Sequence, residues 1–169
     1  MSETNQAPTQ ATRPRRPERD YTSAVYGSVL AASVIVSAGD ARSPVALAIL
    51  IAVSGFVFWI AHVYAATVAS VHGGWHVAAI RTGMRHEWPV AAAAIPPAIA
   101  ALVCGWIPGI STANGSWAAL AVAIAEQQLW GWAAVHRANV SGRVLARTVA
   151  LNLFMGFVIV ALKLALPGH

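Results

Sequence analysis

Three ionisable residues, His62, Glu126 and Lys163, stand inside stretches otherwise free of charge. In surroundings that apolar, an ionisable group is a functional hypothesis by default. Glu126 is followed directly by Gln127 and Gln128. A carboxyl group can carry a proton or order a cation, and the two amides add donors and acceptors beside it. His62 lies among Phe58, Trp59 and Tyr64, where an imidazole can relay a proton or serve only as a hydrogen-bonded packing residue. Counted at 1.5 Å per residue, His62 and Tyr26 fall about 6 Å to one side of their segment centres, and Asn152 falls about 8 Å to the same side. Glu126 falls near the middle of its own segment. The candidate site is therefore one polar layer made of His62, Glu126, Tyr26, Tyr64, Trp59, Gln127, Gln128 and Asn152. It has two readings. It is a protonatable path for protons or a cationic solute, or it is a set of hydrogen bonds that only hold helices together. Glu126 is expected to be neutral, to face the interior and to bond Tyr26, His62 or Asn152. Lys163, near a segment end, is expected to reach outward to the interface and not to pair with Glu126.

The elements that would position this layer are apolar runs. Residues 45–71 contain no Asp, Glu, Lys or Arg. Such a run, as a helix, is long enough for a hydrocarbon layer about 30 Å thick. Four other runs, 21–39, 89–107, 117–135 and 148–166, complete an all-α expectation: an integral membrane bundle of five transmembrane helices in a single domain. The composition agrees, since 57% of residues are hydrophobic and only 10% charged, against about a quarter charged in soluble domains. Gly27 and Ala31 form a small-xxx-small pair for close packing. Pro96 and Pro97 predict a kink in the third run. Residues 72–88 read as a loop, with an interfacial helical turn near its middle, and residues 1–20 as a disordered basic tail.

Basic residues set the orientation. Nine Arg (13, 15, 16, 19, 81, 85, 137, 143 and 147) fall on one side of a five-crossing chain, and only Arg42 on the other. The side with more Arg is cytoplasmic, so the N-terminus is expected inside and the C-terminus outside. This use of the basic charge points to anionic lipid headgroups as partners, and not to nucleic acid.

Other chemistry finds little support. Cys104 is the only cysteine, which excludes an intrachain disulfide and a cysteine metal cluster. His72 and His76 have i, i+4 spacing, with His86 beyond, but Gly73 and Gly74 between them argue against the helix that zinc would need. No second histidine lies inside an apolar run to pair with His62 on a haem. No cofactor and no metal site is predicted. The chain lacks Gly-x-Ser-x-Gly, His-Glu-x-x-His, a phosphate-cradling glycine loop and any Asp in an apolar run, so a non-enzymatic role is expected.

The segment FWIAHVYAATVA at 58–69, together with YGSVLAASV at 26–34, resembles uncharacterised small multi-pass integral membrane proteins of actinobacteria that carry an FWxAHxYA-type second helix. The resemblance implies a bacterial plasma membrane protein and supplies no activity. It singles out Trp59, His62 and Tyr64. The expected function is a small channel or permease-like protein using the polar layer. The alternative is a non-catalytic membrane subunit or scaffold, with a homo-oligomer or a membrane-protein partner completing either.

Overall fold

The computed structural model describes residues 21–38, 43–69, 77–138 and 141–166, and these are all-helical. Six helical segments follow one another: α1 (Tyr21–Ser37), α2 (Pro44–Ala69), α3 (Val77–Ala92), α4 (Ile95–Trp106), α5 (Thr112–Arg137) and α6 (Gly142–Ala165). The expectations for the tail, for His72 and His76 and for Arg42 lie outside the described residues.

Among the described residues three spans are long and apolar enough to cross a membrane: Pro44–Ala69, Ile80–Trp106, which joins α3 to α4, and Gly142–Ala165. The helix α1 is shorter, at 17 residues. With 26 residues α5 has the length, but Glu126, Gln127 and Gln128 make its middle polar. The outward faces suit lipid. On α6, Leu153, Phe154 and Phe157 are exposed, and on α2 so are Val53, Phe56, Val57 and Ile60. Contiguous apolar surface of this kind marks contact with something other than water.

The expected loop is corrected over residues 77–88. From Val77 onward the chain is helical, and α3 runs through Gly83 and Pro89. The inward positions are Ile80, Gly83, Glu87 and Val90, while Arg81, Thr82, Arg85 and His86 are exposed. Those inward residues recur at intervals of 3 and 4, the spacing of a helix face. The glycines at 73, 74 and 83 are what made this stretch resemble a loop.

The kink expected at Pro96 and Pro97 is an interruption placed slightly earlier, at Ala93 and Ala94. There Ala94 N–H bonds back only to Ala91 O (3.1 Å), and a new helix starts with Ala98 N–H on Ala94 O (3.2 Å). Both prolines then fall in the first turn of α4, where a backbone N–H has no partner within the helix in any case. The break is seated on α2: a Cβ built on Gly55 would lie 2.5 Å from the Ala94 methyl.

The last two helices also outrun their apolar runs. Ser111 caps α5 by accepting from Asn114 N–H (3.3 Å), which starts the helix five residues before the expected Trp117. The last helix, α6, begins at Gly142, six residues earlier than expected, so Asn152 lies only about 2 Å from its centre and not 8 Å.

Small residues set the packing. The buried face of α5 includes Gly115, Ala119, Ala123, Gln127 and Gly131, one every fourth position. A matching row on α1 is Ala24, Ser28, Ala32 and Val36. Rows of this kind are the i±4 ridges that interdigitate between helices, and α1 lies on α5 as well as on α2 and α3. Gly27 faces α3, where an added Cβ would come within 2.8 Å of Val90 O and 2.9 Å of the Ala93 methyl. The core joins Ile35, Leu47, Ile51, Ala101, Leu120 and Ile159 from five of the six segments. Arg81, Arg85, Arg137, Arg143 and Arg147 are exposed at one end of this bundle. At the opposite end Pro44 packs on Gly105.

Candidate functional site

The expected layer divides into two places, on either side of α1. On one side the Tyr26 ring meets the His62 ring, with centroids 5.1 Å apart. His62 Nδ1 lies 2.8 Å from Phe58 O on its own helix. A carbonyl only accepts, so Nδ1 is the donor in this bond. Tyr26 and Tyr64 are exposed on the outer surface, 46% and 64%. Trp59 points inward and donates from Nε1 to Met84 O on α3 (3.1 Å), and its ring meets Trp88 edge-on.

On the other side is α5. Glu126 Oε1 accepts from Trp130 Nε1, one turn further along the same helix, at 3.0 Å. This replaces the expected bond to Tyr26, His62 or Asn152. Glu126 is half-buried, and its Oε2 is buried without a hydrogen-bond partner. Gln127 is fully buried, and neither its Oε1 nor its Nε2 has a partner. Gln128 Nε2 is in the same condition. Two acceptors and two donors thus lie unpaired on consecutive residues near the middle of a helix. An unpaired buried polar atom costs roughly 1–3 kcal/mol, so this concentration is unusual.

From Trp130 a line of rings leads to the basic end. Tyr21 lies 5.9 Å from Trp130, and the Arg137 guanidinium stands 5.6 Å over the Tyr21 ring. On α1, Tyr21 and Tyr26 are five positions apart, about 140° around the helix. That is why one faces α5 and the other α2. Among the described residues no hydrogen bond or ring contact joins His62 to Glu126. Asn152 belongs to neither place: it is buried with its amide against Gly131 on α5.

Two further bonds tie helices together with partners outside the expected layer. Ser23 Oγ on α1 donates to Glu87 Oε2 on α3 (3.1 Å). Lys163 Nζ on α6 donates to Ser116 Oγ on α5 (2.8 Å) and sits 5.3 Å over the Trp117 ring. Ser116 is ten residues from Glu126, about 15 Å along the helix, so the ammonium is well away from the carboxyl. Ser23, Glu87, Ser116, Tyr21 and Arg137 were legible only as polar or aromatic residues toward helix ends. The i, i+4 spacing of Glu126 and Trp130 was the one usable signal. Among the described residues no three His, Cys, Asp or Glu side chains gather as metal ligands.

Fold and site together define an all-helical bundle with three spans fit for a membrane and an uncompensated polar patch inside it. Compared with protein-family models, curated proteins and solved structures, the chain matches none.

Proposed function

We propose that this is a multi-pass protein of a bacterial plasma membrane, with five crossings made by α1, α2, α3 with α4, α5 and α6. Its Arg-rich end is cytoplasmic, in keeping with the positive-inside rule. Within it, Glu126, Gln127 and Gln128 form a polar site of a small channel or permease-like protein that passes protons or a small polar or cationic solute. The observation that carries this reading is Gln127, fully buried with both amide atoms unpaired beside the unpaired Oε2 of Glu126. A residue that served only to lock helices would spend its hydrogen bonds on a neighbouring helix, and these do not. The test is a proton and ion flux assay in liposomes, wild type against Glu126→Gln. Flux in the wild type that is lost in the variant supports the reading, and absence of flux in both refutes it.

A second reading, a non-catalytic membrane scaffold or subunit, has its own support. Ser23 with Glu87, Trp59 with Met84 O, and Lys163 with Ser116 are cross-helix bonds that stiffen the bundle. On this reading flux is absent, and variants of those three pairs lower stability while Glu126→Gln does nothing measurable.

A further inference from the structure

Between α2 and α3, toward the Arg-rich end, a groove of about 270 Å³ opens to the outside. Trp59, Val63, Tyr64 and Thr67 line it from α2, and Ile80 and Met84 from α3. Almost all of this lining is hydrocarbon or aromatic carbon. The Trp59 to Met84 O bond ties its two walls together.

Positive charge stands along one rim. Arg81 and Arg85 each follow a groove residue, Ile80 and Met84, by one position, about 100° around α3. That rotation places both on the outer flank of the groove, and both are exposed. Glu87, the one acid on α3, is turned the other way and is held by Ser23 on α1. Trp88 is half exposed on the same flank as the two Arg, with its ring against Trp59.

We propose that this groove binds one acyl chain of an anionic phospholipid, whose phosphate is held by Arg81 and Arg85. The occupant follows from the chemistry of the two parts. An apolar slot fits a hydrocarbon chain. A pair of guanidiniums at the membrane-interface end, with no carboxylate facing them from α3, fits a phosphate. The exposed Tyr64 ring on the α2 wall suits the boundary between chain and headgroup. The proposal rests on the membrane-spanning reading above and gives this pair of Arg a role beyond orientation.

The test uses the full chain reconstituted in phosphatidylcholine vesicles containing a minor share of phosphatidylglycerol. After mild detergent extraction, retained lipid is counted by native mass spectrometry. The wild type is expected to retain phosphatidylglycerol in preference to phosphatidylcholine. Arg81→Gln with Arg85→Gln lowers that preference about thirtyfold, from the attraction each Arg contributes near an anionic headgroup. Arg143→Gln with Arg147→Gln removes the same charge from the same end and leaves the preference unchanged. Met84→Trp, which fills the slot, lowers retention of both lipids. Equal retention of the two lipids by the wild type, or equal losses in the two Arg pairs, overturns the proposal. Vesicle flotation separates the two levels of failure. Protein that floats with the vesicles but shows no preference refutes the lipid site alone. Protein that does not float refutes the membrane reading and the site with it.

Discussion

Ser23 and Glu87 are joined across α1 and α3 by a 3.1 Å hydrogen bond, hydroxyl to carboxylate Oε2, near the Arg-rich end of the bundle. Both are half-buried. The contact fixes α1 against the first half of a long interrupted span whose second half is held elsewhere, by Gly55 and Pro44 of α2.

Removal of the hydroxyl should therefore be felt. Ser23→Ala is expected to lower stability by about 1 kcal/mol, the usual net worth of a hydrogen bond with some penalty for the acceptor left behind. Thermal unfolding in detergent would show this as a lower midpoint. Glu87→Gln keeps an acceptor in place and should lose less.

Gly27 offers a sharper steric test. Its missing Cβ leaves the space that Val90 O and the Ala93 methyl occupy, so Gly27→Ala must push α1 from α3 and should cost about 1–3 kcal/mol. Gly83→Ala is the contrast, since the nearest atom to a new Cβ there is Val63 Cγ1 at 3.8 Å. That substitution should be neutral, or stabilising by up to about 1 kcal/mol through helix propensity. Similar losses in both variants would contradict the interface described here.

Gln127 separates structure from function. A buried amide with no partner destabilises a fold, so Gln127→Met, similar in volume, should leave stability unchanged or raised by about 1–3 kcal/mol. On the proposed function the same variant loses flux. A marked fall in the unfolding midpoint would mean that the amide is a structural bond donor after all.

At the other end of the molecule Lys163 Nζ donates to Ser116 Oγ and stands over the Trp117 ring. Lys163→Met keeps the apolar stem and removes both, with an expected loss of about 1–2 kcal/mol, and Trp117→Leu should lose only the cation–π part, about 0.5–1 kcal/mol. A double-mutant cycle between Lys163→Met and Ser116→Ala measures the coupling directly.

Orientation is open to a reporter experiment. With Arg81, Arg85, Arg137, Arg143 and Arg147 at one end, a phosphatase fused after α6 should be active and a fluorescent protein of cytoplasmic type should be dark. The reverse pair of results would remove the five-crossing arrangement.

By itself the sequence determined the helical class, the long apolar segment centred on α2, and the gathering of Arg at alternate turns of the chain. These are local or additive properties. A run of apolar residues has no better solution in hydrocarbon than a helix, because every backbone donor must find its acceptor within the segment. It also showed which residues were chemically conspicuous, Glu126 with its two glutamines and His62 among its aromatics. Only the tertiary structure decided which of them meet. Depth along a helix can be counted, but azimuth depends on how neighbours cross, so residues counted into one polar layer, such as His62 and Glu126, came to opposite sides of α1. The early start of α6 moved Asn152 by several ångströms, because a helix continues past its apolar run wherever backbone bonds can still form. Residues 77–88 read as loop, yet Ile80, Gly83, Glu87 and Val90 share one inward helix face with Glu87 held by Ser23, and the interruption of the third span fell where Ala94 could dock on Gly55.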